Sequence, residues 1–94
     1  MTGADDFVCT IDDVLTIGGS DVVIFGVVES GECRDGDWID VWDGAQVVMT
    51  VVARLELYGR RPVVPGQISL GLGQVDPSRL RAGQVVRIRP EGAP

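Results

Sequence analysis

The chain has 94 residues, 45% of them hydrophobic, and its 14 acidic and 8 basic residues give a formal net charge of −6. This length fits one domain, no apolar run reaches the ~20 residues of a membrane-spanning helix, and an acidic surface disfavours binding to duplex DNA or bulk RNA. Because the chain has no lysine and no histidine, it lacks the usual amine nucleophile and imidazole base, which disfavours an enzyme.

Apolar, β-branched runs separated by turn residues predict a succession of β-strands with no long helix. Asp12 and Asp13 interrupt the alternation of the first run and predict a bulge or bend there. Asp76 followed by Pro77 predicts one helical turn with the aspartate as its N-cap. The predicted strands are, in chain order, Phe7–Ile11 with Val14–Ile17, Val22–Val28, Asp37–Asp43, Gln46–Tyr58, Gly66–Leu72 and Gln84–Arg89.

Two of these strands are predicted to form a hairpin. Val22–Val28 and Asp37–Asp43 flank the polar turn Gly31–Gly36, so we expect them to pair antiparallel. Six or seven strands without a long helix indicate an all-β sandwich or barrel, and closure into a barrel would leave no exposed edges.

An ordered set of short segments resembles domain 2 of elongation factor Tu and other translational GTPases. The order and spacing of the segments match over nearly the whole chain, from about Phe7 to Pro90. The segments are Ile11–Ile17 with Gly19, Val23–Ile24 with Gly26, Val28–Gly31, Gly36–Asp37, Ile39–Val41, Leu55–Tyr58, Pro65–Gln67 and Arg81–Val85.

The resemblance implies a closed six-stranded Greek-key β-barrel over residues 7–90, with residues 1–6 as a flexible N-terminal arm and residues 91–94 as a tail. The chain contains no Gly-x-x-x-x-Gly-Lys-[Ser/Thr] phosphate loop. We therefore expect a stand-alone domain that binds neither GTP nor another cofactor. Because the first residues include no basic segment, we expect a cytoplasmic protein.

In the family, this domain helps to hold the aminoacylated 3′ end of transfer RNA, and the matching positions here are Glu56, Tyr58 and Gln67. The resemblance implies a pocket for an aminoacyl-adenosine end or a similar small ligand, since carboxylate and amide groups bond ribose hydroxyls and aromatic rings pack on bases. Ser20 and Ala82 stand where the family has arginines. These departures disfavour transfer RNA itself as the ligand.

Alternation along the predicted hairpin places a cluster of apolar side chains on its outer face. Phe25 and Val27 would point outward from one strand, and Trp38 and Trp42 from the other. As cross-strand neighbours they would form one apolar patch, and such a patch seldom stays uncovered on a monomer. Three covers remain open: the arm or tail of the chain, a second copy, or a different protein.

Cys9 and Cys33 are the only cysteines, and two cysteines without a histidine make a poor zinc site. We interpret Cys9 as a buried thiol and Cys33 as a thiol in a turn, and we expect no metal site. The sequence thus predicts a non-catalytic protein-interaction module that associates with a protein partner or with itself. The alternative is a ligand-binding domain that uses the inherited pocket.

Overall fold

A computed structural model describes residues 6–55 and 66–90 of the chain. Their regular structure consists of seven β-strands and one 3-10 helix, which confirms the predicted all-β class. None of the described residues forms a helix long and apolar enough to cross a membrane. The elements are β1 (Val8–Ile17), β2 (Asp21–Ser30), β3 (Trp38–Asp43), β4 (Gln46–Val52), β5 (Arg54–Leu55), β6 (Gln67–Gly73), the 3-10 helix (Pro77–Arg79) and β7 (Val85–Ile88).

The seven strands form one antiparallel sheet in the order β4-β3-β7-β1-β2-β6-β5. β2 pairs with β1 and β6, whereas β3 pairs with β4 and β7. The predicted hairpin between the second and third strands is therefore wrong, because β7 and β1 lie between them. Alternation along a strand fixes the face that each side chain takes, but it does not fix which strand lies beside it.

A bulge in β1 lies where the sequence predicted it. Ile11 lies opposite Gly26 of β2, and Asp13 lies opposite Phe25, so Asp12 is the extra residue. Before the bulge β1 pairs with both β2 and β7, and after it β1 pairs with β2. A bulge bends a strand and increases its twist, so this residue marks the point at which the described part of the sheet parts from β7.

The two edges of the sheet are joined by a single residue. The predicted strand Gln46–Tyr58 is broken at Ala53, and the described part divides into β4, which pairs with β3, and β5, which pairs with β6. Ala53 is fully buried, and it bonds with the turn before β3 through Ala53 N to Asp37 O and Gly36 N to Ala53 O, both 2.8 Å. The sheet therefore bends round until its first and last strands follow each other along the chain.

The predicted closed barrel of six strands is not confirmed. The described residues form seven strands, and no ladder of hydrogen bonds joins β4 to β5 among them. The strand count differs because the backbone N–H and C=O of Ala53 form hydrogen bonds with the Gly36–Asp37 turn and not with a neighbouring strand. The predicted fourth strand is therefore divided into two. Residues 1–5 of the predicted arm and the whole predicted tail lie outside the described residues.

The inward faces of the strands share one apolar core. Its centre is formed by Ile11, Ile24, Ile39, Leu70 and Val86, none more than 2% exposed. These residues come from five different strands, yet they belong to a single cluster. Burial of a large aliphatic side chain contributes ~1.5–3 kcal/mol, so this cluster is the main source of stability for the described part of the sheet.

The 3-10 helix begins as the sequence predicted. The side chain of Asp76 accepts a hydrogen bond from Ser78 N at 3.0 Å, and Pro77 is the first helical residue. This cap lowers the pKa of the Asp76 carboxyl, because its bonds with Ser78 favour the charged form. The turn leads the chain from β6 towards β7, which then enters the sheet between β3 and β1.

Candidate interaction surface

One row of outward-facing residues crosses five strands of the sheet. Trp42 lies opposite Val85, Val85 opposite Thr10, Thr10 opposite Val27, and Val27 opposite Gln67. We call Trp42, Val85, Thr10, Val27 and Gln67 the outer row. Residues that lie opposite each other on neighbouring strands share a face, with their Cβ atoms ~4.5–5.5 Å apart. The row is therefore a continuous strip of mostly apolar surface.

The predicted patch residues differ in how much of their surface they expose. Trp38 is 56% exposed and Val27 is 40% exposed, whereas Phe25 and Trp42 are half-buried. Phe25 lies opposite Ser69 on one side and Asp13 on the other, away from the tryptophans.

The predicted cross-strand contact between the pairs Phe25–Val27 and Trp38–Trp42 is wrong, because β1 and β7 separate β2 from β3. Thr10 and Val85 connect Val27 with Trp42 instead. Sequence reasoning missed both residues because it placed β3 next to β2. The signal that could have found them is the alternation of β1 and β7, which turns Thr10 and Val85 outward beside the buried Cys9 and Val86.

A nearly buried carboxylate lies between the two tryptophans of β3. Trp38, Asp40 and Trp42 alternate onto the same face, yet Asp40 is only 5% exposed. Its Oδ1 accepts a hydrogen bond from Thr50 Oγ1 at 2.6 Å and one from Arg89 NH1 at 3.3 Å. A buried charge requires such partners, so the polar atom in the middle of this apolar surface is satisfied from within the protein.

Only one of the three predicted ligand-binding residues lies in the described part of the chain. Glu56 and Tyr58 lie outside the described residues. Gln67 begins β6, is half-buried, and lies directly opposite Val27. The backbone holds this start of β6 in place through a hydrogen bond from Val28 N to the carbonyl of Gly66 at 2.8 Å. A predicted ligand residue and a predicted interface residue therefore share one stretch of surface.

Arg81, the residue before Ala82, forms an ion pair at the surface within the protein. Arg81 NH2 lies 2.6 Å from Asp43 Oδ2, and the buried Gln84 donates to the same oxygen at 3.3 Å. These two bonds and the charge of Arg81 lower the pKa of the Asp43 carboxyl. The guanidinium of Arg81 is thus paired with the last residue of β3.

Cys9 and Cys33 are both buried free thiols. The predicted burial of Cys9 is confirmed. Cys33 follows β2 in the loop, as predicted, but its side chain also belongs to the apolar core. Burial raises the pKa of Cys9 to about 12, with additional repulsion from Cys33 and Glu29. Burial also raises the pKa of Cys33 to about 11, with repulsion from Asp37 and Asp35. The reactive thiolate is therefore scarce near neutral pH.

The described residues contain no group of three or more His, Cys, Asp or Glu side chains that could hold a metal ion.

No model of a known protein family matches the chain. Over 84 residues the chain is 37% identical to a protein named Elongation factor Tu 2 from Streptomyces avermitilis, in a match that covers 85% of this chain and 21% of that protein. The chain thus spans about a fifth of the length of this curated relative. Together with the all-β sheet, this similarity indicates a fold like that of a translation-factor domain.

Proposed function

We propose that the chain is a non-catalytic protein-interaction module of the translation-factor domain 2 type, and that it binds protein through Trp38 and the outer row. The observation that carries the proposal is the 56% exposure of Trp38 on the same side of the sheet as that row. Tryptophan is enriched at the centres of protein interfaces, and exposed apolar strips of this kind mark interaction sites.

The polar atoms of this surface support the same function. Asp40 is already bonded to Thr50 and Arg89, so a partner that covers the tryptophans leaves no unpaired carboxylate beneath it. Covering an unpaired charge would cost more than the apolar contact contributes.

The junction of the two sheet edges at Ala53 supports a closed barrel as the scaffold of the module. We also infer a cytoplasmic location for the module.

The test compares Trp38→Ser with Leu15→Ser, a control that replaces a residue of similar chemistry, 40% exposed, outside the outer row. We expect Trp38→Ser to weaken association while the thermal midpoint stays within a few degrees of the parent. Mass in solution across a range of concentrations measures self-association. Quantitative capture from the native cell, with parent and both variants as baits, measures a different protein partner.

The outcomes separate the possible covers of the surface. A parent dimer that becomes monomeric in Trp38→Ser, and remains dimeric in Leu15→Ser, identifies a second copy. A monomeric parent with one captured protein that only Trp38→Ser loses identifies a different partner. A monomeric parent whose captured proteins are the same for both variants contradicts the proposal, as does a large fall in thermal midpoint for Trp38→Ser.

Gln67 favours a second candidate function, the binding of an aminoacyl-adenosine end or a similar small ligand. Its amide both donates and accepts hydrogen bonds, as a ribose hydroxyl requires, and it lies beside the apolar Val27. Titration of the parent and Gln67→Ala with a non-hydrolysable 3′-aminoacyl-adenosine tests this function. Saturable binding that Gln67→Ala loses and Trp38→Ser keeps would favour the ligand over the protein partner.

A further inference from the structure

A groove of about 600 Å³ lies beside the outer row, between the start of β1, the loop from β2 to β3, and the end of β7. This volume lies within the ~300–1,000 Å³ range of small-molecule sites. The lining residues carry charges of both signs and a few apolar side chains. They are Asp6, Phe7, Glu32, Arg34, Asp37, Arg87, Ile88, Arg89 and Pro90. We call this site the charged groove.

Two of its six charged residues already have partners in the protein. Arg89 forms an ion pair with Asp40, with 3.3 Å between NH1 and Oδ1. Asp37 accepts a hydrogen bond from the backbone N–H of Arg34 through Oδ2 at 2.8 Å. The ion pair ties the end of β7 to β3, and the hydrogen bond fixes the turn of the loop before β3.

The remaining four charged residues are two arginines and two acidic residues, and no ion pair joins them. The guanidinium groups of Arg34 and Arg87 form no ion pair with any carboxylate of the described residues. The carboxylates of Asp6 and Glu32 likewise form none with an arginine of that part of the chain. Two cations and two anions therefore line one groove without an ion pair between them among the described residues.

We propose that the charged groove binds a small zwitterion of the α-amino acid class, with its carboxylate on Arg34 and Arg87 and its ammonium group on Asp6 and Glu32. A simple anion would be repelled by the two carboxylates of the groove, and a simple cation by its two guanidinium groups. A ligand with both charges satisfies all four groups at once. This site adjoins the protein-binding surface proposed above, because Arg87 lies opposite Asp40 on the face that carries Trp38.

The apolar part of the groove selects among amino acids. Ile88, Pro90 and the nearly buried Phe7 line it beside the charged residues. An aliphatic side chain placed on these three residues loses water-exposed surface at ~25 cal/mol per Å², whereas a charged side chain placed there would lose hydration against apolar neighbours. The site therefore favours an amino acid such as leucine over one with an ionised side chain.

The experiment titrates the full-length ¹⁵N-labelled protein with L-leucine and follows amide resonances by NMR. N-acetyl-L-leucine, which lacks the ammonium charge, and L-leucinamide, which lacks the carboxylate, are the matched ligands. We expect saturable shifts at groove residues with L-leucine, and binding about tenfold weaker or more for either analogue, because each loses a charge-assisted contact.

Two variants and one control test the residues. Arg87→Gln removes a carboxylate partner, and Glu32→Gln removes an ammonium partner from an exposed loop where folding is not at risk. Arg54→Gln is the control, because this exposed arginine pairs with Asp35 outside the groove at 3.9 Å. We expect both groove variants to weaken L-leucine binding by about tenfold and the control to leave it unchanged.

The proposal is overturned if L-leucine causes no saturable shifts, or if both analogues bind as well as L-leucine does. Equal binding by the parent and both groove variants also overturns it. None of these results bears on association through Trp38, which is measured by mass in solution and by capture.

Discussion

Arg89 NH1 lies 3.3 Å from Oδ1 of Asp40, on the outward face of a strand whose other outward residues are the two tryptophans. The side chain of Arg89 remains 43% exposed, while that of Asp40 is 7% exposed. The arginine thus spans from solvent to a carboxylate that water scarcely reaches. Such a carboxylate depends on hydrogen bonds and ion pairs within the protein, because water cannot replace them.

Replacing Arg89 with glutamine is expected to destabilise the fold by ~1–3 kcal/mol, because it leaves a nearly buried carboxylate with Thr50 as its remaining partner. Thr50→Val should cost a similar amount for the same reason. Urea unfolding measures both. Arg54→Gln is the control, since its ion pair with Asp35 is 3.9 Å long and exposed, and equal losses for control and test would contradict the role of Asp40.

Replacing Gly26 with alanine is expected to destabilise the protein by ~1–3 kcal/mol through overpacking. A Cβ atom at this position would lie 2.4 Å from Cys9 Sγ and 2.7 Å from the carbonyl oxygen of Thr10. The second contact is with the backbone of β1, which cannot move without breaking its ladder. Cys9→Ala in the same chain relieves only the first contact, so the double variant should remain less stable than Cys9→Ala alone; full recovery would contradict the backbone clash.

Replacing Gln84 with methionine is expected to cost ~1–3 kcal/mol, because three hydrogen bonds of a buried amide are lost. Its Oε1 accepts from Arg81 N at 2.9 Å, and its Nε2 donates to Arg79 O at 3.0 Å and to Asp43 at 3.3 Å. Gln84→Glu should be worse, because a carboxylate would face the acceptors that the amide now serves. Thermal unfolding measures both, and an exposed control, Gln46→Met, should stay near the parent.

Both thiols should react slowly with a thiol reagent such as DTNB in the native protein and rapidly in denaturant. The reagent attacks thiolates, and burial raises the pKa of Cys9 to about 12 and that of Cys33 to about 11. Absorbance of the released thiol counts the reacted groups with time. Stoichiometric reaction of native protein within the dead time would show that the core opens readily at these residues.

The same thiols predict a loss of stability in alkali. The native pKa values lie above the ordinary thiol value of 9.0, so above that pH the unfolded chain gives up protons that the native state keeps. Stability from these groups is therefore full below about pH 9 and falls as the pH rises towards about 12. The thermal midpoint should decline over this range, and more steeply in the parent than in Cys9→Ala/Cys33→Ala; parallel curves would contradict the assignment.

Local features of the fold could be predicted from the sequence, because each rests on neighbouring residues. The bulge at Asp12 and the cap at Asp76 were both predicted correctly. Pairing of strands could not be predicted in the same way. The turn Gly31–Gly36 looks like a hairpin turn, but its last glycine bonds with Ala53 instead of closing β2 onto β3.

The candidate surface was predictable in its exposed ends and not in its middle. Trp38 and Val27 are exposed, as alternation indicates, since each strand turns every second side chain outward. The depth of Asp40 could not be foreseen, because its burial depends on Thr50 from β4 and on Arg89 beyond β7. The charged groove was missed for a related reason: its residues come from three distant parts of the chain.

The position of β7 determines the order in which the sheet can be assembled. Its four residues, Val85–Ile88, pair with β3 on one side and with β1 on the other. Until they arrive, β3 with β4 and the block β1-β2-β6-β5 are two separate partial sheets, in contact along the chain at Ala53. Contacts between residues so far apart in sequence form slowly. We therefore expect the pairing of β7 with β1 and β3 to form late, and substitutions in β7 to slow folding more than those in the β3–β4 hairpin.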